Sequence, residues 1–186
     1  MVSSSDWFFV LLVAFLLQCL VVSASALTST KYIDQLCQME SIKDRAFCLQ
    51  TLRTYPPAVS ATALFPLAEV VLLGVGVPYA NLLMQSADRA AEKVPALKEQ
   101  FKQCQDSYVS IVMNLKAAAS ELKLSPISAN YDTMVCFDQT TRVYNLIGKN
   151  KDSTSKSLME MTMHMEKLIH LAVGATEVVG GRKHKR

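Results

Sequence analysis

Leu97, Phe101, Cys104, Tyr108, Ile111, Leu115, Ala118 and Leu122 recur at intervals of 4-3-4-3-4-3-4. An α-helix turns every 3.6 residues, so this spacing holds eight side chains on one narrow stripe for about seven turns. A stripe of that length packs nearly parallel to a neighbouring helix and predicts one member of a helical bundle. Pro95 falls in the first turn, where its missing N–H leaves nothing unpaired. Ser125-Pro126 ends this helix and starts the next.

The other segments are predicted from their own periodicity and punctuation. Pro126 to Ile147 carries two weaker stripes: Ile127, Tyr131 and Met134, and Ala129, Cys136, Val143 and Ile147. Gly148 is a natural stop. Asp152 or Ser153 caps a last helix, with Leu158, Met161, Met165, Leu168 and Ala172 on its buried face and Gly180-Gly181 at its end. Upstream, Asn81 to Val94 is helix-like. Leu67 to Leu73 is an unbroken apolar run that periodicity assigns to neither helix nor strand. With Pro66, Gly74, Gly76 and Pro78 nearby, Ser60 to Val94 reads as a short helix, a break near Pro66 and a longer helix kinked near Pro78. Two short amphipathic pieces precede it. One is Lys31 to Met39, with Tyr32, Ile33, Leu36 and Cys37 near one side. The other is capped by Asp44 and carries Phe47, Cys48 and Leu52, until Tyr55-Pro56-Pro57 stops it. The sum is an all-α protein: a bundle of four longer helices behind a small helical arm.

Phe8 to Leu17 is an apolar run that extends to Val22, followed by Ser23-Ala24-Ser25-Ala26. That pattern predicts a secretory leader over 1–26 and a mature start at Leu27; the alternative is a signal anchor. No other segment reads as long and apolar enough to span a bilayer, and the mature product is expected to be exported, with no membrane contact. The domain reading is then a 27–57 arm, a 58–181 bundle and a 182–186 basic tail. All 19 Lys and Arg lie beyond the leader, and four of them fall in Arg182-Lys183-His184-Lys185-Arg186. Residues 27–181 carry 15 charges of each sign, so the excess belongs to the tail and not to a face. This argues against a nucleic-acid-binding domain, which needs a clustered basic surface. The tail suits an acidic wall polymer or an anionic membrane surface; the plainer alternative is a solvated end.

No catalytic motif accompanies the few histidines, His164, His170 and His184. Met159, Met161, Met163 and Met165 flank His164, and thioethers with imidazole suit cuprous copper. On a helix these residues spread over several faces, and methionine is an ordinary core filler, so no metal or cofactor is assigned. Of the five cysteines Cys19 lies in the expected leader, which leaves Cys37, Cys48, Cys104 and Cys136; an even number in an exported chain implies disulfides. One further face stands out. Val109 and Met113 lie outside the heptad seam, with Lys102, Asp106 and Lys116. A mixed apolar and charged face is either an interface or the ordinary scatter of exposed apolar groups.

A cysteine in a short first helix, then Phe47-Cys48-Leu49-x-x-Leu52, then an Ala/Leu-rich segment, then Leu97-x6-Cys104-x3-Tyr108 and an alternating Leu/Ala helix through Leu122 appear in that order. In this order the chain resembles the plant invertase and pectin methylesterase inhibitor family over nearly all of its mature length. The resemblance implies an up-and-down four-helix bundle with an N-terminal helical hairpin extension. It also implies two disulfides, Cys37 with Cys48 and Cys104 with Cys136. Relatives place the fourth cysteine later, where Val143 stands here. Cys136 is seven residues earlier, about two turns and about 10 Å along the helix. Either the second bridge persists in a shifted register or two thiols remain. The implied function is a secreted, apoplastic protein inhibitor of a cell-wall carbohydrate-active enzyme, with no chemistry of its own. It would dock a rigid helical face over the target's substrate cleft. Relatives that act on acid invertase often carry Pro-Lys-Phe in a late loop. Gly148 to Ser153 has none, which tilts the expectation to pectin methylesterase, with acid invertase as the alternative. A non-inhibitory secreted interaction module is the reading from a different class.

Overall fold

A computed structural model of the protein describes residues 30–181. The expected leader, the mature start at Leu27 and the basic tail lie outside the described residues. Among those described, every regular element is helical. Helical residues 30–36 form α1, followed by α2 (Arg45–Arg53), α3 (Pro56–Val59) and α4 (Leu64–Glu69). A π-helical segment, Val70–Gly76, runs into α5 (Val77–Lys93). Then come α6 (Lys98–Glu121), α7 (Pro126–Ile147) and α8 (Ser153–Val179). Successive helices α5, α6, α7 and α8 pack against their neighbours through short connections, and α8 closes on α5 and α4. This is the all-α four-helix bundle with an N-terminal helical hairpin that the sequence predicts.

The caps are those the sequence marks. The Asp44 carboxylate accepts from Phe47 N at 2.9 Å and opens α2, and Asp152 accepts from Ser155 N at 2.8 Å to open α8. The α6 seam is buried from Phe101 to Leu122, with Leu97 partly covered. Tyr108 stays in this core because its hydroxyl bonds Thr162 Oγ1 of α8 at 2.7 Å, which removes the penalty of a buried polar group.

The stretch from Leu64 differs from its expected form. Pro66 does not break it: as the third residue of α4 it sits in the first turn, where no donor is needed. The helix runs on to Lys93. Its widened turn, in which Val77 N–H reaches Leu72 O, ends one residue before Pro78, whose ring carries no N–H. The two glycines serve packing. A Cβ on Gly74 would lie 3.0 Å from the Tyr55 hydroxyl, and one on Gly76 would lie 2.9 Å from Leu115 Cδ1 of the seam. Because the pieces join, Leu64–Lys93 is a 30-residue helix with a window of mean hydropathy 1.7. By length and composition it is long and apolar enough to cross a membrane, contrary to the sequence expectation for the segments beyond the leader. Here 44% of that window is buried inside the fold, with Leu67, Val71, Leu72, Ala80 and Leu83 in the core.

The cysteines divide. Cys37 and Cys48 are bridged, with Cα atoms 5.7 Å apart. Cys104 and Cys136 are separate buried thiols, which corrects the second pairing implied by the resemblance. The cause is register. In the antiparallel α6–α7 pair, Cys104 and Val143 each stand about 20 residues from the connecting turn, so they are level. Arg142, beside Val143, acts electrostatically on Cys104. Cys136 is about 10 Å nearer the turn, beyond the roughly 7 Å that a disulfide tolerates between Cα atoms. Its thiol donates to the Asp132 carbonyl instead, at 3.5 Å. Burial pushes both thiols up to about 12, so neither supplies thiolate near neutral pH. The folded protein is expected to leave Ellman's reagent uncoloured, and the unfolded, unreduced protein to titrate two thiols from this pair. No thiol on unfolding would restore the second bridge.

Candidate protein-docking face

The face of α6 opposite its seam is set by the same periodicity. Phe101, Cys104, Tyr108, Ile111 and Leu115 are buried, which turns Lys102, Asp106, Val109, Met113 and Lys116 outward. The structure brings these five sequence candidates onto one stripe, all exposed. Val109 is 38% and Met113 65% exposed. Lys102 and Asp106 stand on one side of this apolar pair, Lys116 on the other. An apolar centre with a charged rim is the composition that protein interfaces favour. The helix beneath is held along its length by the seam, so the stripe is presented with little conformational freedom to lose on binding.

A second surface lies where the disulfide-bridged arm rests on α8. Ile42 covers Gly174, where an added Cβ would fall 2.8 Å from its side chain. Phe47 meets His164 edge-on at 5.0 Å, and Tyr79 of α5 stacks on the same imidazole at 4.7 Å. Lys167 pairs with Asp44 at 2.8 Å and lies 5.3 Å from the Phe47 ring centre. His170 packs on Phe137 at 4.7 Å. With the arm on one side and the bundle on the others, α8 is buried almost all round from Leu168 to Thr176. The sequence marked only one buried face there, because the arm's seat is a tertiary fact.

This seat is expected to lose stability in acid. Burial lowers the His164 pKa, and Lys167 adds to the effect. Burial also lowers His170, with Lys43, against the opposing pull of Glu166 and a hydrogen bond to Ser41. Both groups therefore favour the neutral form when folded, and the unfolded chain binds more protons below about pH 6.5. Stability should be full above that pH and fall as pH drops through the lowered folded values. Asp44 and Asp152, also lowered from 3.8, add a loss at still lower pH. Urea midpoints measured from pH 7.5 to 4.5 check this. The expected result is a steady decline that His164→Phe makes shallower; a flat profile would contradict it.

The methionines around His164 do not converge. Met165 is in the core, Met159 and Met161 pack partly against it, and Met163 is 51% exposed. Among the described residues no group of three or more His, Cys, Asp or Glu is placed to hold a metal ion. His184 lies outside the described residues.

Sequence reasoning left one surface unassigned. Of the two stripes on α7, Ala129, Cys136, Val143 and Ile147 are buried, and Ile127, Tyr131 and Met134 are exposed. The deciding signal was present in Thr133 and Thr140. Added to the buried set, they complete a 4-3-4-3-4 seam like that of α6. Both threonines are buried and donate to the carbonyls of Asn130 and Phe137. No family model matches this sequence, and no curated protein is similar to it.

Proposed function

We propose that the protein is a secreted inhibitor of a plant cell-wall carbohydrate-active enzyme, and that its target is a pectin methylesterase. The observation that carries this reading is the exposed Lys102–Lys116 stripe on a helix clamped into a four-helix bundle with a bridged hairpin arm. A rigid convex helical face is suited to cover a cleft and exclude a polymer without taking part in chemistry. The order of motifs that resembles the inhibitor family names the class of target. The missing Pro-Lys-Phe in the Gly148–Ser153 loop favours pectin methylesterase over acid invertase. Export rests on the apolar run with its Ala24-x-Ala26 site, and the Cys37–Cys48 bond accords with an oxidising compartment.

The test is to add the purified chain from Leu27 onward to each enzyme separately. Methanol release from pectin is expected to fall while sucrose hydrolysis is unchanged. The opposite pattern transfers the function to invertase inhibition. No effect on either enzyme, together with stable binding, would support an interaction module that inhibits nothing.

A further inference from the structure

The arm and the bundle leave an open groove between them. One wall is α2, the other is the π-helical segment with the start of α5, and His164 of α8 lies between. The groove holds about 670 Å³, a volume typical of small-ligand clefts. Phe47, Tyr55 and Tyr79 line it half-buried, and His164 is exposed, so four aromatic rings are within reach of an occupant. Among the described residues that line it there is no Asp, Glu, Lys or Arg. Burial lowers the His164 pKa, and Lys167 adds to the effect, so the imidazole is neutral near pH 7. Lys167 is itself paired with Asp44, and the two line a different cavity.

The polar groups of this groove are not used up by the fold. The exposed Gln50 amide and the Tyr55 hydroxyl make no hydrogen bond to a described residue. The Thr54 hydroxyl donates to the Gln50 and Thr51 carbonyls, and Tyr79 donates to the Met161 carbonyl at 3.2 Å; each oxygen keeps its capacity to accept. The backbone contributes as well. Val77 N–H bonds Leu72 O in the wide register, and Pro78 has no N–H, so the Leu73 carbonyl finds no donor in its own helix. That carbonyl points along the helix axis toward Pro78, which lines the groove. Widened turns of this kind are frequent at functional sites.

We propose that this groove binds a neutral glycan, with pyranose rings lying on its aromatic side chains and sugar hydroxyls bonding Gln50, Tyr55 and the Leu73 carbonyl. A pyranose presents a face of C–H groups and a rim of hydroxyls that both donate and accept. Aromatic rings set beside unpaired amide, hydroxyl and carbonyl groups match both parts. A wholly apolar occupant would bury the Gln50 amide and the Tyr55 hydroxyl unpaired. A polyuronate would bring carboxylates into a groove with no cation to meet them. The groove is built from α2, α5 and α8, so glycan binding uses a face other than the Lys102–Lys116 stripe of α6 and does not depend on inhibition of any enzyme.

The experiment is calorimetric titration of the chain from Leu27 onward with cellohexaose, xylohexaose, mannohexaose and fully methyl-esterified hexagalacturonide. De-esterified hexagalacturonide is the charged control. Saturable binding of at least one neutral hexamer, with a Kd below about 1 mM, is expected, and none of the charged one. Gln50→Ala/Tyr55→Phe should weaken binding by about tenfold or more, as two hydrogen bonds are lost. Its melting temperature should not change, because neither group is bonded within the fold. Gln50→Ala alone, at an exposed position, is the milder variant and should cost about fivefold. Met113→Ala on the α6 stripe should bind as the parent does. The proposal is overturned if no neutral hexamer binds, or if the de-esterified hexamer binds as well as its methyl ester. It is overturned equally if the folded Gln50→Ala/Tyr55→Phe variant retains the parent's affinity, because the glycan would then sit elsewhere.

Discussion

Phe101→Ala is expected to lower the unfolding free energy by about 3–5 kcal/mol, the usual cost of deleting a fully buried aromatic ring. Phe101 is among the largest side chains with no exposure at all, and it anchors the start of the α6 seam. Its ring has no polar group for water to rescue, and close-packed helices on two sides limit collapse into the void. For a domain of this size the loss corresponds to a fall in Tm of about 10 °C. Met113→Ala, on the opposite side of the same helix, should change stability by less than about 0.5 kcal/mol. Urea unfolding of both variants provides the check. A loss below about 1 kcal/mol for Phe101→Ala would mean that the seam is not the principal core.

The largest functional effect is expected at the centre of the docking stripe. Val109→Asp/Met113→Asp should raise the concentration needed for half-inhibition of pectin methylesterase by about 100-fold, because buried apolar residues at an interface centre dominate affinity and an added carboxylate there is desolvated unpaired. Both residues are exposed in the free protein, so its melting temperature should stay unchanged. Lys116→Ala, at the rim, should act mainly on the association rate and its salt dependence. Equal potency of the double Asp variant and the parent would move the contact to another face.

Helix positions were largely legible because punctuation and periodicity agreed. Asp44 and Asp152 cap helices as expected, Ser125-Pro126 separates α6 from α7, and the α6 seam is buried as spaced. Three features were not legible, each for a physical reason. Apolar counting missed the α7 seam, since Thr133 and Thr140 occupy core positions by bonding their own helix backbone. Proline was read as a break at Pro66, where a first-turn position needs no donor and the helix continues. The fate of Cys104 and Cys136 depends on how far along the helix pair each one sits, which only the register of α6 against α7 fixes. The candidate stripe from Lys102 to Lys116 was legible because it is the complement of an unambiguous seam.

The central claim is inhibition by covering a substrate cleft, and a tight-binding titration tests it most directly. Pectin methylesterase at fixed concentration is titrated with the protein from Leu27 onward, and methanol release is followed at several pectin concentrations. The account predicts a linear fall to a break at one chain per enzyme, with added pectin relieving inhibition as the two compete for the cleft. Full activity at a large excess of the protein, or inhibition indifferent to pectin concentration, would contradict it.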